Sequence, residues 1–481
     1  MMFEKKRLVL VSAVLLLGLI FTGCSGDSAV SDLTENVEGP SQVIVNEESD
    51  TFTATGPTGA DYLWRVEDGL GTFTNSRSSE TEFIPSEAAL EAGTIDINVQ
   101  IDNEEKTVED IEVLSNDSQT EYVKGTFHSI IATEDMKRNG YIAAGTAGDL
   151  DLSEYKEPYM LKADNRGIVI DEKKFNRDGR FYDIQDVVRK ALGDYYYLIG
   201  YSRVSGDVNE AFVLRVNNKM EIEKTYNSDN LSTGDAFLRS GIISKSFFSS
   251  NHVIAVGNKE LDNGNYAPYI IDINTSNTED FARYTLSSDI LDNPYYNLES
   301  IVETDDGYLA VGFTNDNQAS RSGAEGIILK LDSEFNVLGV NRSITEKIFR
   351  IKEVENPDGV DYVLVGDSGY VAEIEDEGSN LRITETDLGT ATYRDVIVDG
   401  SSYIIVGEDS NQGVVAKLTV DDLSAGTSFE KNYGTYLYGV DQATDGDYLL
   451  AGHSTSQDGS NNSYVVKINP NDGTIVKRVK E

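Results

Sequence analysis

Between residue 140 and the C-terminus one apolar phrase recurs seven times, each copy closing on glycine. The copies are Tyr141–Gly145, Tyr196–Gly200, Val253–Gly257, Tyr308–Gly312, Tyr362–Gly366, Tyr403–Gly407 and Tyr448–Gly452. Tyrosine stands four residues before the glycine in six of the seven. The glycines lie 41 to 57 residues apart, the length of a four-stranded propeller blade with its loops. Each interval reads as four strands. The first is an aromatic or apolar run such as Phe181–Ile184 or Tyr393–Val396, and the second is the phrase itself. The third resembles Gly326–Leu331, and the fourth follows an Asp/Asn/Gly turn, as in Asn471–Val476. Continuous apolar character in the second strand predicts burial on both faces, and its glycine predicts positive φ or close backbone approach. Sheets packed radially bury both faces without helices. Residues 119–481 are therefore expected to form a seven-bladed β-propeller. A strand near Thr474–Val479 is expected to share the closing blade with residues near 120; whether Glu121–Lys124 adds a strand there stays open.

The stretch 40–116 has a different pattern. Val43/Val45, Phe52/Ala54, Tyr62/Trp64/Val66, Ile95/Ile97/Val99/Ile101 and Ile111/Val113 alternate with polar residues, as half-buried strands do. Turn clusters at 56–59, 67–69 and 102–104 separate them. About seven short strands in this length predict a β-sandwich. Trp64, the sole tryptophan, is expected to pin its core. The whole chain is expected to be all-β.

Composition adds an address and excludes a partner. A net charge of −43 disfavours nucleic acid, because holding phosphates needs clustered Lys and Arg. Lys5-Lys6-Arg7 followed by apolar Leu8–Ile20 reads as a signal segment over 1–23. It ends in Phe21-Thr-Gly-Cys24, which resembles the bacterial lipobox and implies lipidation of Cys24, the only cysteine. Ser25 after it resembles the signal for the outer membrane. Residues 24–39 then read as a flexible tether. The expected partner on this side is a membrane, reached through the lipid.

Candidate chemistry is sparse. There are three histidines, and no Gly-x-Ser-x-Gly elbow, His-Glu-x-x-His pair or phosphate loop. Asp149, Asp151, Ser153 and Glu154 alternate oxygen donors as calcium loops do, but without the central glycine; a polar loop explains them as well. Aligning the starts of the first strands places His128, Tyr182, Arg239, Glu299, Arg350, Arg394 and Tyr438 at comparable positions near the axis. Such a ring is a cationic, aromatic funnel suited to carboxylates or sulfates. The other reading is that these arginines neutralise acids between blades.

Two resemblances bear on function. Ala54–Gly69, with Tyr62-Leu-Trp64-Arg-Val66 before an acidic–glycine turn, resembles PKD-type immunoglobulin-like modules. The last unit, with Asp445-Gly-Asp-Tyr448–Ser454 and Tyr464-Val-Val-Lys-Ile-Asn469, resembles the repeats of secreted bacterial surface propellers. Together they imply a lipid-anchored extracytoplasmic protein whose propeller binds a glycan or surface protein without catalysis and without a cofactor. A propeller hydrolase or lyase acting on polysaccharide, and an envelope assembly factor, stay open beside it.

Overall fold

The computed structural model describes residues 36–476, apart from 47–48, 50, 116–118, 135–138, 149–155, 176–180, 190–194, 205–207, 228–234, 245–251, 276–280, 288–290, 292–294, 316–323, 355–359, 378–379, 421–422, 424–428, 435 and 457–459. The chain is nearly all β, as expected. Its described helix, Glu87–Ala92, is one short turn-and-a-half capped by Ser86. No described helix is long and apolar enough to cross a membrane.

Residues 36–114 form small sheets around a core of their own. Gln42–Ile44, Glu104–Leu114, Thr94–Ile101 and Tyr62–Arg65 make one sheet, and Asn36–Glu38, Phe52–Thr55 and Glu80–Thr81 another. Their alternating apolar residues meet in one cluster. Trp64 lies at its centre, 2% exposed, against the edges of Phe52 and Phe73. Its indole N–H donates to the Ser78 carbonyl at 2.8 Å, so the one polar atom carried inward is satisfied.

From residue 119 the chain makes seven antiparallel units. Units two to six are four-stranded meanders, beginning at Phe181–Arg189, Ala236–Ile243, Tyr295–Thr304, Ile348–Glu353 and Thr392–Asp399. In the first unit Gln119–Glu134 leads, and in the last Tyr436–Gln442 leads. First strands of neighbouring units pack side by side, and the last packs on the first, so the units close a ring. The cores show the same closure. Along the second strand of unit one, Ile142 and Ala144 face unit two, while Tyr141 and Ala143 face unit seven. This alternation repeats through the remaining five interfaces. That is why the phrase is apolar throughout: both faces of the strand are core.

Closure draws on both ends of the ring. Gln119–Lys124, the start of the long first strand, pairs with Asn461–Ile468 and supplies the outer strand of the last unit. The C-terminal segment contributes an isolated bridge from Ile475 to Ile468. Joining the two ends of the ring through one sheet ties first unit to last by backbone hydrogen bonds.

The glycines have a single purpose, and it is close approach. In all seven units the glycine pairs with the residue just before a bulge in the first strand: Phe127, Ile184, Leu238, Leu298, Ile348, Tyr393 and Leu437. A Cβ on any of them would stand 1.8 to 2.1 Å from a carbonyl oxygen of the first strand or, for Gly366, of Lys347 just before it. None has a positive φ. The missing side chain is what lets each first strand bulge.

Candidate functional site

Each bulge inserts one extra residue beside the axis. The seven are His128, Gln185, Arg239, Glu299, Phe349, Arg394 and Tyr438. All seven line one cavity of about 430 Å³ at the mouth of the ring. Repetition of a backbone device thus delivers seven different side chains to one place.

His128 is one of its titratable groups. Its Nε2 stands 3.6 Å from Asp183 Oδ1 and its ring 4.9 Å from that of Tyr438. Burial lowers the imidazole pKa; Asp183 opposes this, but Lys156, Arg239 and Arg394 add to it. The ring is therefore neutral near pH 7, and the Asp183 carboxylate on the Nε2 side favours the tautomer with its hydrogen there, which makes Nδ1 the basic atom. Asp183 is held firmly: Tyr201 donates to Oδ2 at 2.7 Å and Thr146 to Oδ1 at 3.0 Å. Burial would raise its pKa, but His128, the Tyr201 hydroxyl and the nearby cations outweigh it, so the group stays ionised. Burial, then the charge of Glu408, keeps the Tyr438 phenol protonated well above its ordinary range. Behind Tyr438 sits His453, hydrogen-bonded to Thr126 and pushed down to about 4 by burial and by His128.

Two arginines reach the cavity, each facing a carboxylate, Glu299 for Arg239 and Glu408 for Arg394, and each with an N–H still unused. Arg239 donates to Gln185 at 3.0 Å and lies over the Tyr201 ring. Arg394 donates to Glu408 at 2.8 Å and lies 4.4 Å over Phe349. In both, the buried Nε hydrogen has no partner. A planar anion would satisfy such donors.

Arg350 behaves otherwise. It follows the bulge, and its guanidinium spans the channel, donating to Asp395 at 2.8 Å, Ser240 at 2.7 Å and Asp186 at 3.3 Å. Asp186 also accepts from Ser129 and the Gly241 amide, and Asp395 from the Val440 amide. These bonds tie several units at one level, so Arg350 is a cross-brace, and the reading of it as a free anion ligand is corrected. Tyr182 is corrected as well. It is 5% exposed in the core between units one and two, edge-on to Phe212, because it precedes the bulge by three residues. Six of the expected ring line the cavity, His128, Arg239, Glu299, Arg394 and Tyr438 from the bulges and Arg350 from the brace.

Sequence reasoning missed Gln185 and Phe349, which hold the true bulge positions, and Tyr201, Tyr295 and Asn297, which also line the cavity. A local signal existed for the first two. The bulge residue stands between a buried apolar residue and Ser or Asp in five units, as in Ile184-Gln185-Asp186. The expected calcium loop, Asp149 to Glu154, lies outside the described residues, as do residues 1–23 and Cys24. Among the described residues no group of three or more His, Cys, Asp or Glu side chains is placed to hold a metal ion. His252, the remaining histidine, pairs with Asp272 in another cleft.

No family model matches the chain. No curated protein matches it either. Among solved structures, it is similar to a variant of Synechocystis apocarotenoid oxygenase at 9% identity and a TM-score of 0.40, covering 80% of this chain and 92% of that one. A cobalt-substituted form of that protein gives 9% identity, a TM-score of 0.38 and the same coverage. A chimera of the oxygenase with RPE65 gives 10% and 0.39, covering 83% and 91%. The expected resemblance to a PKD-bearing surface lipoprotein is not what these comparisons return: the solved structures they give are oxygenases. Those neighbours are enzymes, where a non-catalytic binding protein was expected. What they act on belongs to them.

Proposed function

We propose that this protein is an acid–base enzyme that takes a proton from the carbon next to a substrate carboxylate. The observation that carries the reading is the placement of neutral His128, oriented by Asp183, in one cavity with Arg239 and Arg394, whose Nε hydrogens are unpaired. The two guanidinium groups hold the carboxylate. His128 Nδ1 accepts the proton, the C–H electron pair moves into the carboxylate, and the arginines stabilise the charge that gathers there. Collapse follows either by return of a proton or by loss of a neighbouring substituent, which the protonated Tyr438 hydroxyl can protonate as it leaves. General acid–base catalysis of this kind contributes roughly 10²–10⁴-fold.

The test is proton exchange in D₂O, followed by NMR at the C–H next to the carboxylate of a set of small hydroxy acids and uronic acids. Exchange or elimination is expected for at least one, with a loss of two or more orders of magnitude in His128→Gln. If the wild type neither exchanges nor binds any acid of the set, the assignment is refuted.

Two further readings belong with it. The chain is best understood as a β-sandwich over 40–116 and a seven-bladed propeller over 119–481, supported by their separate cores and the closed ring. It is placed outside the cytoplasm and tethered by lipid at Cys24, supported by the basic and apolar segments before the sole cysteine. Its partner there is the membrane; the acidic balance gives nucleic acid no footing.

A further inference from the structure

The central cavity opens sideways into a second one of about 300 Å³, between the second strands of units three and four. Tyr201, Arg239, Tyr295 and Phe313 line both, so the two are arms of one cleft. The walls of the side arm are aromatic: Phe237 packs edge-on to Tyr201 at 4.9 Å, and Tyr266 lies 5.0 Å from Tyr295. Two of its polar groups offer acceptors. Asn258, directly after the second-strand glycine of unit three, is 1% exposed, and its Oδ1 has no hydrogen-bond partner. Asp235 accepts from the Asn209 amide at 2.8 Å and from the Tyr266 hydroxyl at 3.4 Å, leaving lone pairs over. A buried acceptor without a donor is costly unless a ligand completes it.

We infer that this side arm is a subsite for an uncharged, hydroxyl-rich ring on the same substrate whose carboxylate occupies the central cavity. The assignment rests on the functional reading above for the carboxylate, and on Asn258 and the aromatic walls for the ring. Charge decides between candidate occupants. Asp235, with Glu260 bonded to its amide, repels an anion, and Arg239 at the junction repels a cation. A ring with several hydroxyls supplies donors to Asn258 and Asp235, and its C–H faces lie against Phe237 and Tyr295. The substrate is thus elongated and asymmetric, with a carboxylate at one end and a neutral polyol at the other.

The two ends can be probed separately by saturation-transfer NMR on the full-length protein, with myo-inositol as neutral cyclic polyol and malonate as the anion. Inositol is expected to bind wild type and Arg394→Ala alike and to weaken at least fivefold in Asn258→Leu, with cyclohexanol, one hydroxyl on the same ring, binding at least fivefold more weakly than inositol. Malonate is expected to show the reverse, weakening in Arg394→Ala and binding Asn258→Leu as it does wild type. Asn258→Asp, which keeps an acceptor, retains inositol binding and guards against a folding defect in the leucine variant. Failure of inositol to bind wild type, unchanged binding in Asn258→Leu, or equal binding of cyclohexanol would overturn the subsite. Loss of malonate binding alone would overturn the catalytic reading and leave the subsite standing.

Discussion

Adding one methyl group at Gly407 should cost both stability and anion binding. Its Cβ would lie 2.0 Å from the Thr392 carbonyl oxygen and 2.8 Å from Tyr393 Cα, both backbone atoms that cannot rotate away. The first distance is roughly 1.5 Å short of ordinary contact, so the two strands must separate or the bulge must flatten. Overpacking of a buried site costs about 1–3 kcal/mol, and the rigidity of a strand fully buried on both faces puts Gly407→Ala near the top, at about 3 kcal/mol. For a unit of this size that lowers Tm by roughly 4 °C. Flattening the bulge also withdraws Arg394 from the cavity, so malonate affinity should fall with stability. Gly339→Ala is the control. Its Cβ would meet nothing within 4 Å and its φ is ordinary, so it should be neutral or stabilise by about 0.4–1 kcal/mol through the unfolded chain. Melting curves and malonate titrations on the three proteins decide the matter. If Gly407→Ala melts with the wild type, or Gly339→Ala falls as far, close approach is not the reason for the repeated glycine.

Arg350→Ala leaves Asp186 and Asp395 buried without a countercharge and should destabilise by about 3–5 kcal/mol, with malonate binding changed less than threefold. Arg394→Ala should do the opposite in titration and melting, weakening malonate more than tenfold, the scale of a lost charge-assisted hydrogen bond. His453, 3% exposed, has a folded-state pKa of about 4 against 6.5, so the unfolded chain takes up its proton first as pH falls. Its contribution is complete above pH 6.5, is lost between 6.5 and 4, and amounts to about 3 kcal/mol; His453→Gln should flatten that part of the stability–pH curve. The lowered pKa of His128 places the acid limb of kcat/KM below pH 6.5, and a limb at or above that value would contradict its role as base. Cys24→Ala should move the protein from the detergent to the aqueous phase on partitioning, and equal retention of both forms would remove the lipid tether.

Much of the fold was legible because it repeats. Seven apolar phrases ending in glycine state how many sheets there are, and their unbroken apolar character states that both faces are core. Trp64 was legible as a core residue because Tyr62 and Val66 alternate with it. Aligning the starts of the seven first strands was enough to infer a ring of side chains about the axis, and six of the seven expected residues line the cavity there. What the chain order could not supply was register. The spacing from bulge residue to glycine runs from 13 to 18 residues, since the connecting turns differ in length, so no fixed offset names the axial residue. A shift of one position turns a side chain to the other face, which is the difference between Phe349 in the cavity and Arg350 in the brace. The pairing of Arg350 was equally hidden, for Asp395 and Asp186 lie 45 and 164 residues away and meet it only when the ring closes. Whether Gln119–Lys124 would join the closing sheet was hidden as well; it pairs with Asn461–Ile468, the strand that Ile475 also bridges. Sequence alone determined the number of units and what each buries. The tertiary structure decided which side chain faces the axis and which charges cancel there, because both depend on distances between units that no single unit contains.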